Sequence, residues 1–404
     1  MRIEVRILVF CYFLLLLCMS SCIEPLEINA EEYERALVVD GLFTDSEEIP
    51  SEVVLTYSFG FDEEEPTRVS GASVRVEEES GGATILEEVS EGVYQTDPAI
   101  FRGASGKRYR LLIETDEGTN YESSWELLQA SPPIEDLSFE FISSGGDPNG
   151  PVLGAQVNLD TRDVENNAQF FSWDYIETYE YELPHPPRIR VEFGSQPGRG
   201  NDEIIEISNE EFEGFRCWKS ESSSELIIRS TENLTESVID ELELTLIDNT
   251  TPKLFIRYSI LVNQYAISKD YYDNLKKIFE INQTTGSLFD PIPNEIFGNV
   301  NNVTDEDEPV LGYFGVAGVA QKRLFINRED VPMNFGASRG PSCELVTIPL
   351  NFRTLFDNVE RNSLELMDFQ RDLLFETPIG YILTMPICAS CEVGDATNER
   401  PDFW

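Results

Sequence analysis

The nine residues KRYRLLIET, at positions 107–115, decide the fold class of this 404-residue chain. Apolar and polar side chains alternate along the run, as they do in a strand with one buried face, so Tyr109 and Leu111 are predicted to face a core. Similar short runs surround it, with turn residues such as Gly81-Gly82 between them. The predicted strands cover residues 36–43, 52–59, 72–78, 83–89, 107–115 and 121–128. Regularly spaced short strands of this kind predict an antiparallel β-sandwich.

The chain is therefore predicted to be mostly β and to have two domains. Residues 36–130 form the first, an immunoglobulin-like β-sandwich in which 107–115 is a late strand. Ser131-Pro132-Pro133 then interrupts the pattern, because proline removes backbone donors and stiffens the chain, and this indicates a linker. Residues 131–404 form a larger β-rich, fibronectin-like domain with one helical insertion.

The inserted helix is predicted over residues 268–282. Ser268 is a favourable N-cap residue, and Gly286 ends the helical pattern. The side chains at helical spacing are expected to form one face that packs on the sheet. They are Tyr272, Leu275, Ile278, Phe279 and Asn282.

The first 21 residues have the pattern of a secretory signal peptide. Arg2 and Arg6 precede the apolar run ILVFCYFLLLLCM at positions 7–19, which is short for a membrane span of ~20 residues. Ser20 and Ser21 then lead to Cys22, as in a bacterial lipobox, so Cys22 is predicted to carry lipid. The segment 22–35 would be the lipidated tether. An ordinary cleaved signal peptide and an uncleaved anchor are the alternatives.

The charge of the chain limits its partners. Twenty-nine Lys and Arg residues against 75 Asp and Glu residues give a formal net charge of −46. Such acidity argues against nucleic acid, whose phosphates require basic side chains, and against anionic lipid head groups. It permits cationic or divalent partners, but a solvated acidic surface is the favoured interpretation.

Four cysteines remain once the signal peptide and Cys22 are set aside. An even number in an exported protein indicates two disulfides. We expect the tail residues Cys388 and Cys391 to pair with Cys217 and Cys343, in either combination. Cys388-Ala-Ser-Cys391 also fits a zinc or redox motif, but a second C-x-x-C is absent and the residues after it are acidic.

The other motifs do not support a catalytic or metal-binding function. We therefore assign no catalytic, cofactor-binding or metal-ligating residue. Gly336-Ala-Ser338-Arg-Gly340 matches a nucleophile elbow, but the only histidine, His185, precedes it. The acidic runs 63–65 and 305–308 permit calcium binding, yet neither has the D-x-D-x-D-G pattern of an EF-hand loop. Solvated acidic loops are the alternative interpretation.

Several segments together resemble a known family. They are QYAISKDYYDNL at 264–275, GSLFDP at 286–291, Gly298-Asn299-Val300, VLGYF at 310–314, the cysteine pair of the tail, Thr397-Asn398 and PDFW at 401–404. This combination resembles the domain-of-unknown-function 4249 (DUF4249) family of envelope lipoproteins, often found alongside TonB-dependent outer-membrane receptors. The resemblance implies a location in the cell envelope, in the neighbourhood of a TonB-dependent receptor. It identifies no catalytic residue.

The sequence thus predicts a non-enzymatic outer-membrane lipoprotein, on the periplasmic face or the cell surface. It would assist a TonB-dependent receptor in nutrient capture or uptake. A structural or adhesive surface module and an envelope hydrolase that uses carboxylates are the alternatives. The terminal aromatic pair Phe403-Trp404 is expected to dock in the core. A partner epitope or a barrel-type terminal signal is the other option.

Overall fold

The computed structural model describes residues 35–58, 65–144, 152–165, 167–197, 201–208, 216–284, 298–336, 338 and 342–404. Cys22, the signal peptide and all of the tether except its last residue lie outside these ranges. Strands make up 49% of the structure and helices 10%, which confirms the mostly β fold class. The finer immunoglobulin-like and fibronectin-like assignments stay predictions.

The amino-terminal third forms ten strands. They are β1 (Leu37–Thr44), β2 (Glu52–Tyr57), β3 (Thr67–Arg68), β4 (Ser73–Glu78), β5 (Ala83–Ile85), β6 (Glu87–Ser90), β7 (Val93–Gln95), β8 (Arg108–Glu114), β9 (Asn120–Ser123) and β10 (Glu126–Leu127). Strands of two different sheets enclose a common core, which we call the first core. Tyr109 and Leu111 are fully buried there, as the alternation in residues 107–115 predicts.

The described middle of the chain forms nine strands, of which five have ten residues or more. They are β11 (Ile134–Ser144), β12 (Val152–Asp163), β13 (Phe170–Glu182), β14 (Ile189–Glu192), β15 (Glu203–Glu206), β16 (Arg216–Ser222), β17 (Ile227–Ser230), β18 (Ser237–Asp248) and β19 (Arg257–Ala266). The three-stranded sheet β11-β12-β18 and the strands β13 and β19 supply the second core, around Trp173, Tyr258 and Ile260. Gln264 ties this core to the predicted linker, because its side chain donates to the Pro132 carbonyl at 2.7 Å.

The remaining elements include the longest described strand. They are α1 (Lys269–Thr284), β20 (Val300–Asn302), β21 (Val310–Asn327), β22 (Val346–Pro349), α2 (Phe352–Phe356), a π-helical turn (Asp357–Arg361), β23 (Glu365–Arg371) and β24 (Pro378–Thr384). Short 3-10 turns lie at Met333–Phe335, Pro386–Cys388 and Glu392–Gly394.

Strand β21 belongs to both halves of the molecule. Its first part pairs in parallel with β1, from Leu37↔Val310 to Thr44↔Ala317. Its second part pairs antiparallel with β19, from Ala266↔Gly318 to Arg257↔Asn327. The first core also takes Phe314 from this strand. Residues on either side of the predicted boundary at 130 therefore share one ten-stranded sheet, of path β16-β13-β19-β21-β1-β2-β7-β6 with β3 and β17 beside it.

A separate three-stranded sheet of order β22-β24-β23 follows, which we call the third sheet after the third core that it builds. It has its own core, to which Ile189 of β14 contributes beside Tyr381 and Leu383. The Arg188 amide donates to the Met367 carbonyl at 2.7 Å, which joins the β14 segment to β23. The third sheet is thus attached at the Glu182 end of β13.

Helix α1 packs at the junction of β1, β13 and β21. The Tyr271 amide donates to Ser268 Oγ at 3.2 Å, which confirms Ser268 as the N-cap. Tyr272 packs on Phe170 as expected, with ring centroids 5.2 Å apart. The prediction was wrong for Phe279, which is 37% exposed, because the helix is anchored by its first turns and its later turns leave the sheet.

The tail is fastened to the body. Cys217 is bonded to Cys391, and Cys343 to Cys388, so both tail cysteines pair with body cysteines. Trp404 is buried, and its indole Nε1 donates to Glu180 Oε2 at 3.0 Å. Core docking is confirmed for Trp404, whereas Phe403 is 42% exposed.

Candidate functional site

A groove with a volume of about 1040 Å³ lies on the surface beside the first core. It lies between the β8–β10 side of the first core and the chain from Gly298 to Val310. We call it the β20 groove, after the strand that forms one wall. Its lining combines one aromatic ring with polar and charged groups, among them Arg110, Glu122, Trp125, Asn301, Glu306 and Asp307.

One wall is a fixed stack of an arginine and a tryptophan. The Arg110 guanidinium lies 4.8 Å from the centroid of the Trp125 ring, within the range of a cation–π contact. Two carboxylates hold the guanidinium in place, Glu77 at 3.0 Å and Glu122 at 3.2 Å. Arg110 therefore pairs with carboxylates of the protein itself, and its guanidinium holds the indole of Trp125 at the groove.

The opposite wall is built around Glu308. Its two carboxylate oxygens accept separate hydrogen bonds, from the Tyr121 hydroxyl at 2.9 Å and from the Asn302 side chain at 2.6 Å. Burial and the adjacent Glu308 carboxylate raise the pKa of Tyr121 well above its ordinary value, so this hydroxyl stays a donor. The Asn302 oxygen also accepts the amides of Thr304 and Asp305. The acidic loop is thus folded back onto the sheet.

A second joint attaches this wall to β21. The Asn299 side chain donates to the Phe314 carbonyl at 2.9 Å and accepts the Phe314 amide at 2.9 Å. It also donates to Glu126 at 3.2 Å, and Glu126 accepts the Tyr313 hydroxyl at 2.8 Å. Asn299, Tyr313 and Phe314 all lie in segments that carry the family resemblance. Their role in the structure is to join β20, β10 and β21 behind the groove.

Glycines allow the backbones to meet at this joint. A Cβ atom on Gly298 would lie 1.4 Å from the Gly312 carbonyl oxygen. Gly312 has φ +86°, and its own added Cβ would lie 2.0 Å from the Val39 carbonyl oxygen. Only residues without a side chain fit this contact, which explains the glycines of both motifs physically.

The groove is acidic. Glu122, Glu306, Asp307 and Glu308 line it, whereas the guanidinium of Arg110 is already paired with carboxylates. Such a surface repels anions and offers acceptors to hydroxyl or ammonium groups, while an indole ring offers an apolar face. In the parts of the chain that the structure describes, no cluster of three or more His, Cys, Asp or Glu residues has metal-binding geometry.

A smaller cavity of about 280 Å³ lies beside the start of α1. It contains Asp174, which accepts hydrogen bonds from Asn263 at 2.6 Å and from the Tyr265 hydroxyl at 2.9 Å. Burial raises the pKa of Asp174, although these two donors partly oppose the effect. The volume and the closed hydrogen-bond network make this cavity the weaker candidate.

The motifs singled out from the sequence are not brought together at the groove. His185 contacts the Cys343 carbonyl at 3.3 Å, beside the second disulfide, and the Ser338 amide donates to the Asn249 carbonyl at 2.9 Å. The acidic run 305–308 forms part of the groove wall, whereas Glu63 and Glu64 lie outside the described residues. Trp125 was missed, because a single tryptophan in a strand-rich segment is ordinarily interpreted as core.

Within the described part of the chain, no helix has the length and apolar character needed to cross a bilayer.

The sequence model of the family described as Domain of unknown function (DUF4249) matches residues 23–323. This chain belongs to the DUF4249 family. The match to DUF4249 contains the first core, the β20 groove and all but the last few residues of β21. The third sheet and the tail follow the matched region.

Other comparisons add little to the DUF4249 assignment. No curated protein matches this chain. One solved structure, titled "Biofilm associated protein - BSP domain", is similar at 7% sequence identity with a TM-score of 0.12. The alignment covers 72% of this chain and 59% of the solved chain, so the DUF4249 protein spans less than two thirds of that structure.

Proposed function

We propose that this protein is a non-enzymatic outer-membrane lipoprotein that binds a nutrient and works with a TonB-dependent receptor in its uptake. Cys22 carries the lipid anchor, and the β20 groove is the binding site. The observation that carries the proposal is the groove itself, an open cavity of about 1040 Å³ with a fixed Trp125 wall. Ligand sites in proteins are concave, pre-formed and few, and they combine an apolar surface with a small number of placed polar groups.

The two walls support binding because their side chains are held in place by contacts within the protein. Arg110 is held by two carboxylates, and Glu308 is held by Tyr121 and Asn302. A pre-organised site loses less conformational entropy on binding than a mobile one. The acidic lining favours a neutral, hydroxyl-rich or cationic nutrient over an anionic one.

The partner and the anchor are tested together by affinity purification. The tagged full chain is purified from its native envelope, and its amino-terminal peptide is analysed by mass spectrometry. The proposal predicts an acylated Cys22 and co-purification of a TonB-dependent receptor. An unmodified Cys22, or a preparation without any such receptor, would contradict the corresponding part.

The groove is tested by titrating the purified chain with neutral oligosaccharides, cationic peptides and anionic organic acids. We expect a member of the first two panels to bind, and Trp125→Ala to weaken that binding by about tenfold or more, which corresponds to the loss of one aromatic stacking surface. Phe279→Ala removes a partly exposed ring on α1 and serves as the control. Equal affinities for the two variants would exclude the groove as the site.

A further inference from the structure

The turn between β23 and β24 carries three consecutive apolar residues that are exposed. Leu373 is 100% exposed, Leu374 84% and Phe375 77%. These three consecutive residues, which we call the apolar tip, belong to none of the hydrophobic cores found among the described residues. In a chain with a formal net charge of −46, such a cluster requires a physical explanation.

Several backbone amides in and beside the tip find acceptors within the turn. The amides of Leu374 and Phe375 donate to the Asp372 carboxylate at 2.9 and 3.0 Å. The Glu376 amide donates to the Asp372 carbonyl at 3.0 Å, and the Asp372 amide donates to the Thr377 carbonyl at 2.9 Å. Four backbone donors around the turn therefore need no water. Satisfied donors are the requirement for a segment that enters an apolar medium, where each unpaired group costs several kcal/mol.

The shape of the tip distinguishes a bilayer from a protein pocket. Three neighbouring residues at the end of a hairpin form a narrow projection between two acidic residues, Asp372 and Glu376, and Arg371 is exposed one position before Asp372. A stable protein–protein interface buries ~800 Å² on each partner, which requires a broader surface. A bilayer interface accepts single inserted side chains without a complementary surface, and their burial is favourable for each apolar group.

From these observations we propose that the apolar tip inserts into the interface of a zwitterionic phospholipid bilayer. Leu373, Leu374 and Phe375 enter the boundary between head groups and acyl chains, and Arg371 lies at the head-group level. The acidity of the chain opposes anionic membranes, so zwitterionic lipid is the surface that fits. This inference goes beyond the proposed function and draws on it only for an envelope location.

The connectivity places this contact far from the proposed anchor. The tether would enter at Leu37, which pairs with Val310 at the start of β21, whereas the third sheet is attached beyond Asn327, at the other end. Eighteen residues of strand at ~3.3 Å each separate the two ends of β21 by ~60 Å. Attachment at both ends would hold the long strand along the membrane.

The test uses the full chain with Leu374→Trp, mixed with phosphatidylcholine vesicles that contain brominated acyl chains. We expect a blue-shifted emission and quenching by bromine, relative to the wild-type spectrum. Val164→Trp is the matched control, because Val164 is 85% exposed at another turn. Quenching of Leu374→Trp no greater than that of the control would overturn the proposal.

A second measurement concerns the energetics of insertion. Leu373→Asp combined with Leu374→Asp should reduce vesicle partitioning by about tenfold or more, since two apolar side chains lose their favourable transfer. The melting temperature should not change, because both side chains are exposed. If these changes leave partitioning intact but abolish recovery of a protein partner, the tip binds a protein pocket and the proposal is wrong. Because acylation at Cys22 would anchor both tryptophan variants equally, the difference in quenching between them reports the tip.

Discussion

Asn302 is the residue on which the acidic wall of the groove depends. It is 3% exposed, donates to Glu308 and accepts two backbone amides. Asn302→Ala removes this buried side chain and its three hydrogen bonds to partly buried groups, so we expect a loss of about 1–3 kcal/mol in the free energy of unfolding. Chemical denaturation measures this change in the free energy of unfolding. Asn301→Ala, at the exposed neighbour, should stay within about 0.5 kcal/mol of wild type. Similar losses for both would contradict the network.

Gly312 and Gly118 form a matched pair for a steric prediction. Their φ angles are +86° and +85°, but an added Cβ meets the Val39 backbone at Gly312 and nothing within 4 Å at Gly118. Gly118→Ala should cost about 1–2 kcal/mol, from the left-handed conformation alone. Gly312→Ala should cost several kcal/mol more or prevent folding. Equal melting temperatures for the two variants would show that the β1–β21 contact tolerates a side chain.

The raised pKa of Asp174 predicts that the free energy of unfolding depends on pH. Its pKa is raised from 3.8 by burial, so the folded chain holds this proton to a higher pH than the unfolded chain does. This carboxyl therefore lowers the free energy of unfolding as the pH rises from 3.8 through its raised pKa. Asp174→Asn should remove that component, so that the stability of the variant relative to wild type increases over this range. Urea titrations at several pH values, with the exposed Asp240→Asn as control, measure it.

At the scale of elements, the disulfides determine how firmly the tail is held. Cys217–Cys391 spans 174 residues and Cys343–Cys388 spans 45. In the chain-entropy account, the two bonds contribute ~5 and ~4 kcal/mol respectively. Replacing the first pair by alanine should therefore lower the denaturation midpoint more than replacing the second. The reverse order would indicate that local packing around the second bond matters more than loop length.

The elements also show where sequence reasoning succeeded. Tyr109 and Ser268 were placed correctly, because alternation in a strand and capping of a helix are local properties. Phe279 was placed wrongly, since helical spacing alone does not reveal how much of a helix meets its sheet. The pairing of β1 with β21 could not be derived, because parallel strands distant in sequence have no connecting turn to mark them. The Leu373–Phe375 run was visible, but its exposure follows from the hairpin geometry.

For the whole molecule, the shared strand predicts that residues 36–130 do not fold alone. Their core requires Val300 of β20, and Val310 and Phe314 of β21. We expect the isolated segment 36–130 to lack amide dispersion in NMR spectra, and a fusion that adds residues 298–317 to regain it. A dispersed spectrum for the isolated segment would show that the first core is self-sufficient.

The same strand has a mechanical consequence. A receptor pulling on the far end of the molecule, against an anchor at the amino terminus, would apply force between Asn327 and Leu37. Because β1 and β21 run parallel, this force acts along both strands in opposite directions and loads their contact in shear. The eight residue pairs from Leu37↔Val310 to Thr44↔Ala317 would then carry the load together rather than open one by one. With the anchor that we propose, β1 and β21 would transmit tension from the amino terminus to the opposite end of the molecule.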